Sequence, residues 1–129
     1  MRHLLDAHSL IWALDDPRRL GPRAIAILEA PANEMVISAG TIWELSIKVG
    51  LGKLSLSLPF RTWMERALVD LDLTVAPITV EVAQRQMTLP FHHRDPFDRL
   101  LAAQGLVEAI GIVSADSVFD RYGVDRIWD

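Results

Sequence analysis

The chain has 129 residues, half of them apolar, with no cysteine and a net charge of −4. That composition excludes a disordered polar segment, a disulfide framework and a thiolate zinc site. The charge balance carries no overall nucleic-acid footprint, and no apolar run approaches the roughly 20 residues of a membrane span. A single domain over residues 1–129 is expected. It is long enough to bury about two-thirds of its unfolded surface without a metal or disulfide staple. The opening Met1-Arg2-His3-Leu4-Leu5-Asp6 places an acid where a signal peptide needs an apolar core. A cytoplasmic protein with no membrane association is the expectation.

In chain order, Leu4-Leu5 reads as the first strand, and Asp6 is placed to cap a helix holding Leu10, Ile11 and Leu14. Asp15-Asp16-Pro17 breaks that helix, and Pro22 suits the first position of the next, with Ile25, Leu28 and Glu29 following. Met35-Val36-Ile37 is a second strand. Thr41-Ile42-Trp43-Glu44 then matches a capping box, in which the Glu reaches back to the cap's N–H. Breaks at Gly50-Leu51-Gly52 and Leu58-Pro59 precede a helix marked by Phe60, Met64, Ala67, Leu68 and Leu71. Val75-Ala76 is a third strand, and Thr79 caps a helix from Val82 to Met87. After Leu89-Pro90, Asp95-Pro96 supplies a cap and a first-turn proline for a helix that includes Asp98. Ile112-Val113 is a fourth strand, Ser117 to Tyr122 a short helix, and Arg126-Ile127-Trp128 a last strand at an edge. The strand runs lack strict alternation, which is the pattern of strands buried on both faces of a parallel sheet. Strand–helix alternation implies an α/β fold with right-handed crossovers.

The acids occupy the joints of this pattern. Asp6 follows the first strand, Glu44 comes just after the second, Asp98 opens a helix and Asp116 closes the fourth strand. In open α/β sheets, ligand sites form outside the carboxyl ends of the strands. Each acid also has a structural reading: Asp6, Asp95 and Asp116 as caps, Glu44 in the capping box, Asp98 against the helix dipole. Capping accepts Ser, Thr, Asp or Asn, yet all of these junctions carry a carboxylate. Like charges about 4 Å apart repel by about 4 kcal/mol at an effective dielectric near 20. Cations or raised pKa values must relieve such a cluster. An all-oxygen donor set suits Mg²⁺ or Mn²⁺, and such ions polarise phosphoryl oxygens and activate water.

Other residues are read with the same two-sided accounting. Lys48 stands four residues after Glu44, placed to pair with it or to meet a phosphate. Ala102 and Gly105 would let the helix carrying Asp98 approach the sheet closely. Arg94, Arg99 and Arg121 flank the later acids and are candidates to hold a phosphate backbone. His92-His93 has no known metal-ligand spacing and reads as loop. His8 sits two residues from Asp6, either at a substrate or packed on the first helix turn, and the four tryptophans read as core or interface before base platforms. A phosphoaspartyl mechanism lacks its helper acid two residues after Asp6 and a lysine near Asp116. No Gly-rich phosphate turn follows the first strand.

Leu4-Leu5-Asp6-Ala7-His8, Ser38 to Leu45, His92 to Gln104 and Val113-Ser114-Ala115-Asp116, in that order, resemble a PIN-domain protein, and most of all the VapC-type toxins of type II toxin–antitoxin modules. The likeness spans nearly the whole chain, and His92 to Gln104 is its most specific piece. The resemblance implies a three-layer α/β/α fold with a mostly parallel sheet of about five strands. It implies a Mg²⁺- or Mn²⁺-dependent endoribonuclease that hydrolyses RNA phosphodiester bonds. Its acids fall on Asp6, Glu44, Asp98 and Asp116, with Asp95 as an additional acid. Asp6 and Asp98 would be the principal ligands. A homodimer and a VapB-type antitoxin are implied as partners. The alternative is a non-catalytic PIN-like binding module whose acids serve only as helix caps.

Overall fold

The computed structural model describes residues 1–92 and 94–129, so His93 of the histidine pair lies outside it. Among the described residues, five strands form one sheet: β1 (Arg2–Leu5), β2 (Glu34–Ser38), β3 (Leu73–Ala76), β4 (Gly111–Val113) and β5 (Arg126–Ile127). The order is β3-β2-β1-β4-β5, and every pairing is parallel. β1 is therefore central, with Leu4 beside Val36 of β2 and Ile112 of β4. The chain winds outward from β1 through β2 to β3, then returns to place β4 on the other flank. That reversal makes the carboxyl ends of β1 and β4 the topological switch point, where open α/β sheets bind ligands.

Successive strand residues face opposite ways, and here each direction has its own core. Leu5, Met35, Ile37 and Val113 pack with α1 (Ala7–Asp15), α2 (Pro22–Glu29), α3 (Ala39–Gly50) and α4 (Phe60–Asp70) through Leu10, Ala24, Leu45 and Trp63. Leu4, Val36 and Ile112 pack with α5 (Val80–Met87), α6 (Pro96–Glu108) and α7 (Val118–Arg121) through Val82, Leu101, Ala102 and Phe119. Helices on both faces of a parallel sheet give the expected three layers. Burial of a strand from both sides is what removes hydrophobic alternation from β1, β2 and β4.

Local chemistry accounts for the helix starts. Pro22 opens α2 and Pro96 opens α6, where a missing N–H costs nothing. The Thr79 hydroxyl accepts from the Val82 N–H at 3.2 Å to cap α5. α6 leans on a glycine: a Cβ at Gly105 would stand 3.0 Å from Val124 Cγ1 and 3.2 Å from the Ile110 carbonyl. Gly105 thus lets α6 come close to Ile110 and Val124 beside the sheet.

Three expectations need correction. The Thr41–Glu44 capping box does not form: Ser38 is the cap of α3, its hydroxyl accepting from the Gly40 N–H at 3.0 Å, and Thr41 lies inside the helix. β3 is not buried on both faces, since Thr74 and Val75 are exposed at the sheet edge. Trp128 falls just past β5, where its carbonyl accepts from the N–H groups of Arg23 and Ala24 at 3.2 Å. Among the described residues, no helix is long and apolar enough to cross a membrane.

Candidate active site

Asp6 leaves the central strand and caps α1. One carboxylate oxygen, Oδ1, accepts from the Ser9 N–H at 2.9 Å, and the other accepts from the Ser114 hydroxyl just past β4. Ser9 returns a bond to the same corner, its hydroxyl donating to the Val113 carbonyl at 3.0 Å. The Asp6 N–H donates to that carbonyl too, at 3.3 Å. Asp6 is only 7% exposed, and among the described residues no cation pairs with it. A buried carboxylate is held here by neutral donors. Its orientation is set by the β1–β4 neighbourhood rather than by a salt bridge.

Ser114 also ties in the fourth acid. Its Oγ accepts from the Asp116 N–H at 3.0 Å, and the Asp116 carboxylate accepts from the Val118 N–H at 3.0 Å, at the start of α7. The Asp116 side chain is exposed. Beside it, Arg126 forks onto Asp120 at 3.0 and 3.1 Å and donates to the Ser114 carbonyl at 3.3 Å. Its pKa is raised chiefly by the Asp120 hydrogen bond, against the cost of burial, and the charges of Asp120, Asp129 and Asp116 add to it.

Glu44 and Asp98 form the other half of the edge. Glu44 is 4% exposed and sits past the first turn of α3, where it caps nothing. Its Oε2 accepts from Lys48 Nζ at 2.7 Å, one turn along. The Lys48 ammonium is held above its ordinary range first by that hydrogen bond; burial opposes, and the negative charges of Glu44, Asp95 and Asp98 reinforce it. One lysine thus senses three acids from two helices. Asp95 caps α6, its Oδ1 accepting from the N–H groups of Phe97 and Asp98 at 2.8 and 3.3 Å. Asp98 is half-buried in that first turn.

Two contacts hold α3 against α6. Trp43 meets Phe97 edge-on at 6.3 Å between ring centres, one residue before each acid. Gly40 lies so close that an added Cβ would be 2.3 Å from Leu100 Cδ2. Gly40 and Ser114 are the positioning residues that sequence reasoning missed. A glycine in the first turn after a strand was a usable signal for close packing, whereas the role of Ser114 depends on strand order.

All four acids therefore lie at the carboxyl edge of the sheet, but in two groups: Asp6 with Asp116 through Ser114, and Glu44 with Asp98 and Asp95 around Lys48. Among the described residues, no three His, Asp or Glu side chains stand as a ready-made metal cage. The donor chemistry nonetheless suits a hard divalent ion. The set is all-carboxylate, and Glu44 already carries a cationic partner in the Lys48 ammonium.

The arginine expectations divide. Arg94 and Arg121 are exposed. Arg99 is not available to a substrate: it is 2% exposed, and its guanidinium donates to the carbonyls of Pro90, Gln86 and Leu89 at 2.8–3.2 Å. It fastens the loop before α6. The ring of His92 packs edge-on to Tyr122 at 5.1 Å, in line with a loop role. Among the tryptophans only Trp63 is wholly buried, while Trp43 is 65% exposed.

No curated protein matches the chain. Solved structures do. One is VapBC2 from Rickettsia felis bound to a DNA fragment from its promoter (18% identity, all of both chains covered, TM-score 0.77). A second is FitAcB from Neisseria gonorrhoeae (20% identity, 96% of this chain and 95% of that one, TM-score 0.64). A third is VapBC-5 of Mycobacterium tuberculosis, a member of the VapBC family of toxin–antitoxin systems (19% identity, 98% and 97% covered, TM-score 0.64). At these identities the likeness is one of fold. The sequence model of the PIN domain matches residues 3–125, which takes in every acid of the edge, and the chain belongs to the PIN-domain family.

Proposed function

We propose that this chain is a Mg²⁺- or Mn²⁺-dependent endoribonuclease, the toxin of a VapBC-type toxin–antitoxin pair that acts in the cytoplasm. The observation that carries the reading is Glu44. A carboxylate 4% exposed in the body of a helix, with a lysine as its partner among the described residues, is costly to keep and caps nothing. It stands at the same sheet edge as the buried Asp6. The PIN-domain match and the VapBC and FitAcB likenesses support a nuclease with an antitoxin partner.

In this reading Asp6 and Asp98 are the principal metal ligands, and Glu44 and Asp116 complete the site directly or through water. A bound divalent ion supplies charge neutralisation at the phosphate and an activated water. Ser9 and Ser114 orient the Asp6 carboxylate, and Asp95 fixes the first turn that carries Asp98. Lys48 neutralises Glu44 in the chain as it stands and would be free to meet a phosphate if an ion took over that carboxylate. Arg94 and Arg121, both exposed, are the candidates beside the later acids to hold the RNA backbone. A homodimer is supported by the apolar residues Trp43 and Ile47 of α3 and Leu51 just past its end, spaced one turn apart and exposed at 65, 36 and 65%.

One set of observations favours the non-catalytic alternative: Asp6, Asp95 and Asp116 do accept helix N–H groups. Cleavage of total RNA with Mg²⁺, Mn²⁺ or EDTA separates the readings, comparing wild type with Asp6→Asn and Asp98→Asn at matched folding. Metal-dependent cleavage should fall at least about a hundredfold in each variant, as loss of a ligand or its support does. Folded wild type that neither cuts RNA nor binds Mn²⁺ would leave the capping role standing.

A further inference from the structure

A nuclease whose site is acidic must hold a polyanion with groups outside that site, and several of its basic residues are committed. Lys48 is bound to Glu44, Arg99 is buried, and Arg126, Arg2 and Arg61 pair with Asp120, Glu34 and Glu65. One corner is different. Where α1, the 3-10 turn Pro17–Arg19 and α2 meet, Arg18, Arg19 and Arg23 are exposed together. Among the described residues, Arg18 makes only a loose 3.7 Å contact with Asp16.

The same corner holds an aromatic run that begins beside the acid site. His8 is exposed in the first turn of α1, two residues after Asp6. One turn on, Trp12 lies 5.6 Å from it at a tilt of 39°. Trp128 continues the run 5.7 Å from Trp12. Arg19 lies over the Trp12 ring at 4.6 Å, and the Arg23 backbone N–H donates to the Trp128 carbonyl at 3.2 Å. Gly21 closes the corner: a Cβ there would be 2.2 Å from the Trp128 carbonyl oxygen. Trp12 and Trp128 are half-buried, so they serve as props. His8 is the ring with an open surface.

We propose that His8, backed by Trp12 and Trp128, is the platform on which one base of single-stranded RNA stacks next to the cleaved phosphate, while Arg19 and Arg23 hold the adjoining backbone. The inference rests on the nuclease reading. Stacking on an aromatic ring tolerates any base but needs that base free of a duplex. Unpaired RNA should therefore bind better than duplex. An antitoxin segment is the other conceivable occupant, but α1 begins at the catalytic acid, and the pairing of ring and cation suits a nucleotide better than a peptide.

The test is binding of a labelled single-stranded oligoribonucleotide by the full chain in Ca²⁺, with strand integrity checked on a gel. An abasic site is walked along the strand, and thermal melting confirms folding. His8→Ala should weaken binding on the order of tenfold, while His8→Phe, which keeps a ring, should retain most of it. One abasic position should cost wild type a similar factor and cost His8→Ala nothing further. Arg19→Ala and Arg23→Ala should each reduce the salt dependence by about one counterion. Wild type that cuts RNA while His8→Ala binds it unchanged, or a flat abasic walk, overturns the platform and leaves the nuclease intact. Wild type that neither binds nor cuts RNA removes both. His8→Ala that binds RNA normally but loses a co-expressed antitoxin assigns the corner to that partner instead.

Discussion

The two halves of the acid edge are built on different principles. At the β1–β4 switch point, Asp6 is clamped by two neutral donors, and the Ser114 hydroxyl that holds it also fixes the turn carrying Asp116. Nothing there needs to move for the carboxylate to point where it does. At the α3–α6 junction the acids come from two separate helices, and their charge is balanced by a half-exposed lysine. The first half resembles a preorganised ligand, whose orientation is settled on folding. The second resembles a held charge, whose counterion can be exchanged. The difference teaches that one sheet edge can supply both rigidity and adaptability, with neutral hydrogen bonds giving the one and an ion pair the other.

Substitutions can break that contrast. Ser114→Ala should have the largest effect among the supporting residues. It removes a fully buried hydroxyl that serves both Asp6 and Asp116. It should cost about 1–3 kcal/mol in denaturant unfolding, and RNA cleavage should fall roughly ten- to a hundredfold. Gly40→Ala attacks the other half. The new methyl must displace the end of the Leu100 side chain, and the helix propensity gained by Ala offsets part of that, so a net loss of up to about 2 kcal/mol is expected. Gly50→Ala, with nothing within 4 Å, should be neutral or stabilising by up to about 1 kcal/mol.

Lys48→Met sharpens the comparison. It should also lower stability, because it leaves the buried Glu44 carboxylate without its ammonium. It should strengthen Mn²⁺ binding in calorimetry, since the ion no longer competes with an ammonium for Glu44. Equal metal affinity in wild type and variant would mean that the lysine is not the exchangeable partner. The Lys48 pKa is raised, so its stabilisation is complete below its ordinary value of 10.5 and is lost as pH rises through the higher folded value. Up to about pH 9 the lysine's contribution should therefore be constant.

The smallest effect comes from the opposite end of the sheet. His3 is buried, and its pKa is lowered by that burial and by the N-terminal ammonium, against the pull of Asp125. The unfolded chain then binds a proton more readily than the folded one. Stability should decline as pH falls below 6.5, and His3→Gln should flatten that decline in thermal melts. A decline unchanged by the substitution would place the titrating group elsewhere.

Much of this was legible in order along the chain. Leu4-Leu5, Met35 to Ile37 and Ile112-Val113 are strands because apolar residues without alternation can be satisfied only between two layers. Pro22, Thr79 and Asp95-Pro96 mark helix starts because capping is local chemistry, complete within four residues. The same locality explains the errors. Thr41 and Glu44 had the right spacing for a capping box, but the helix began earlier, at a serine that ends the strand. Val75 looked interior by composition, yet its strand lies at the sheet edge. Arg99 stood next to an acid in sequence and was assigned to a phosphate, while the loop carbonyls that claim it lie about ten residues upstream.

The sequence by itself determined most of the strands and helices, most of the caps, and the placing of Asp6 and Asp116 just after strands and of Asp98 at a helix start, because these depend on residues within a turn of one another. Only the tertiary structure decided which acids meet. Asp6 and Ser114 are 108 residues apart and touch because β4 lies beside β1. Glu44 and Asp98 share the field of one lysine because Gly40 and Phe97 let two helices close on each other. Contacts of that range follow from strand order and helix packing, which local propensity does not encode.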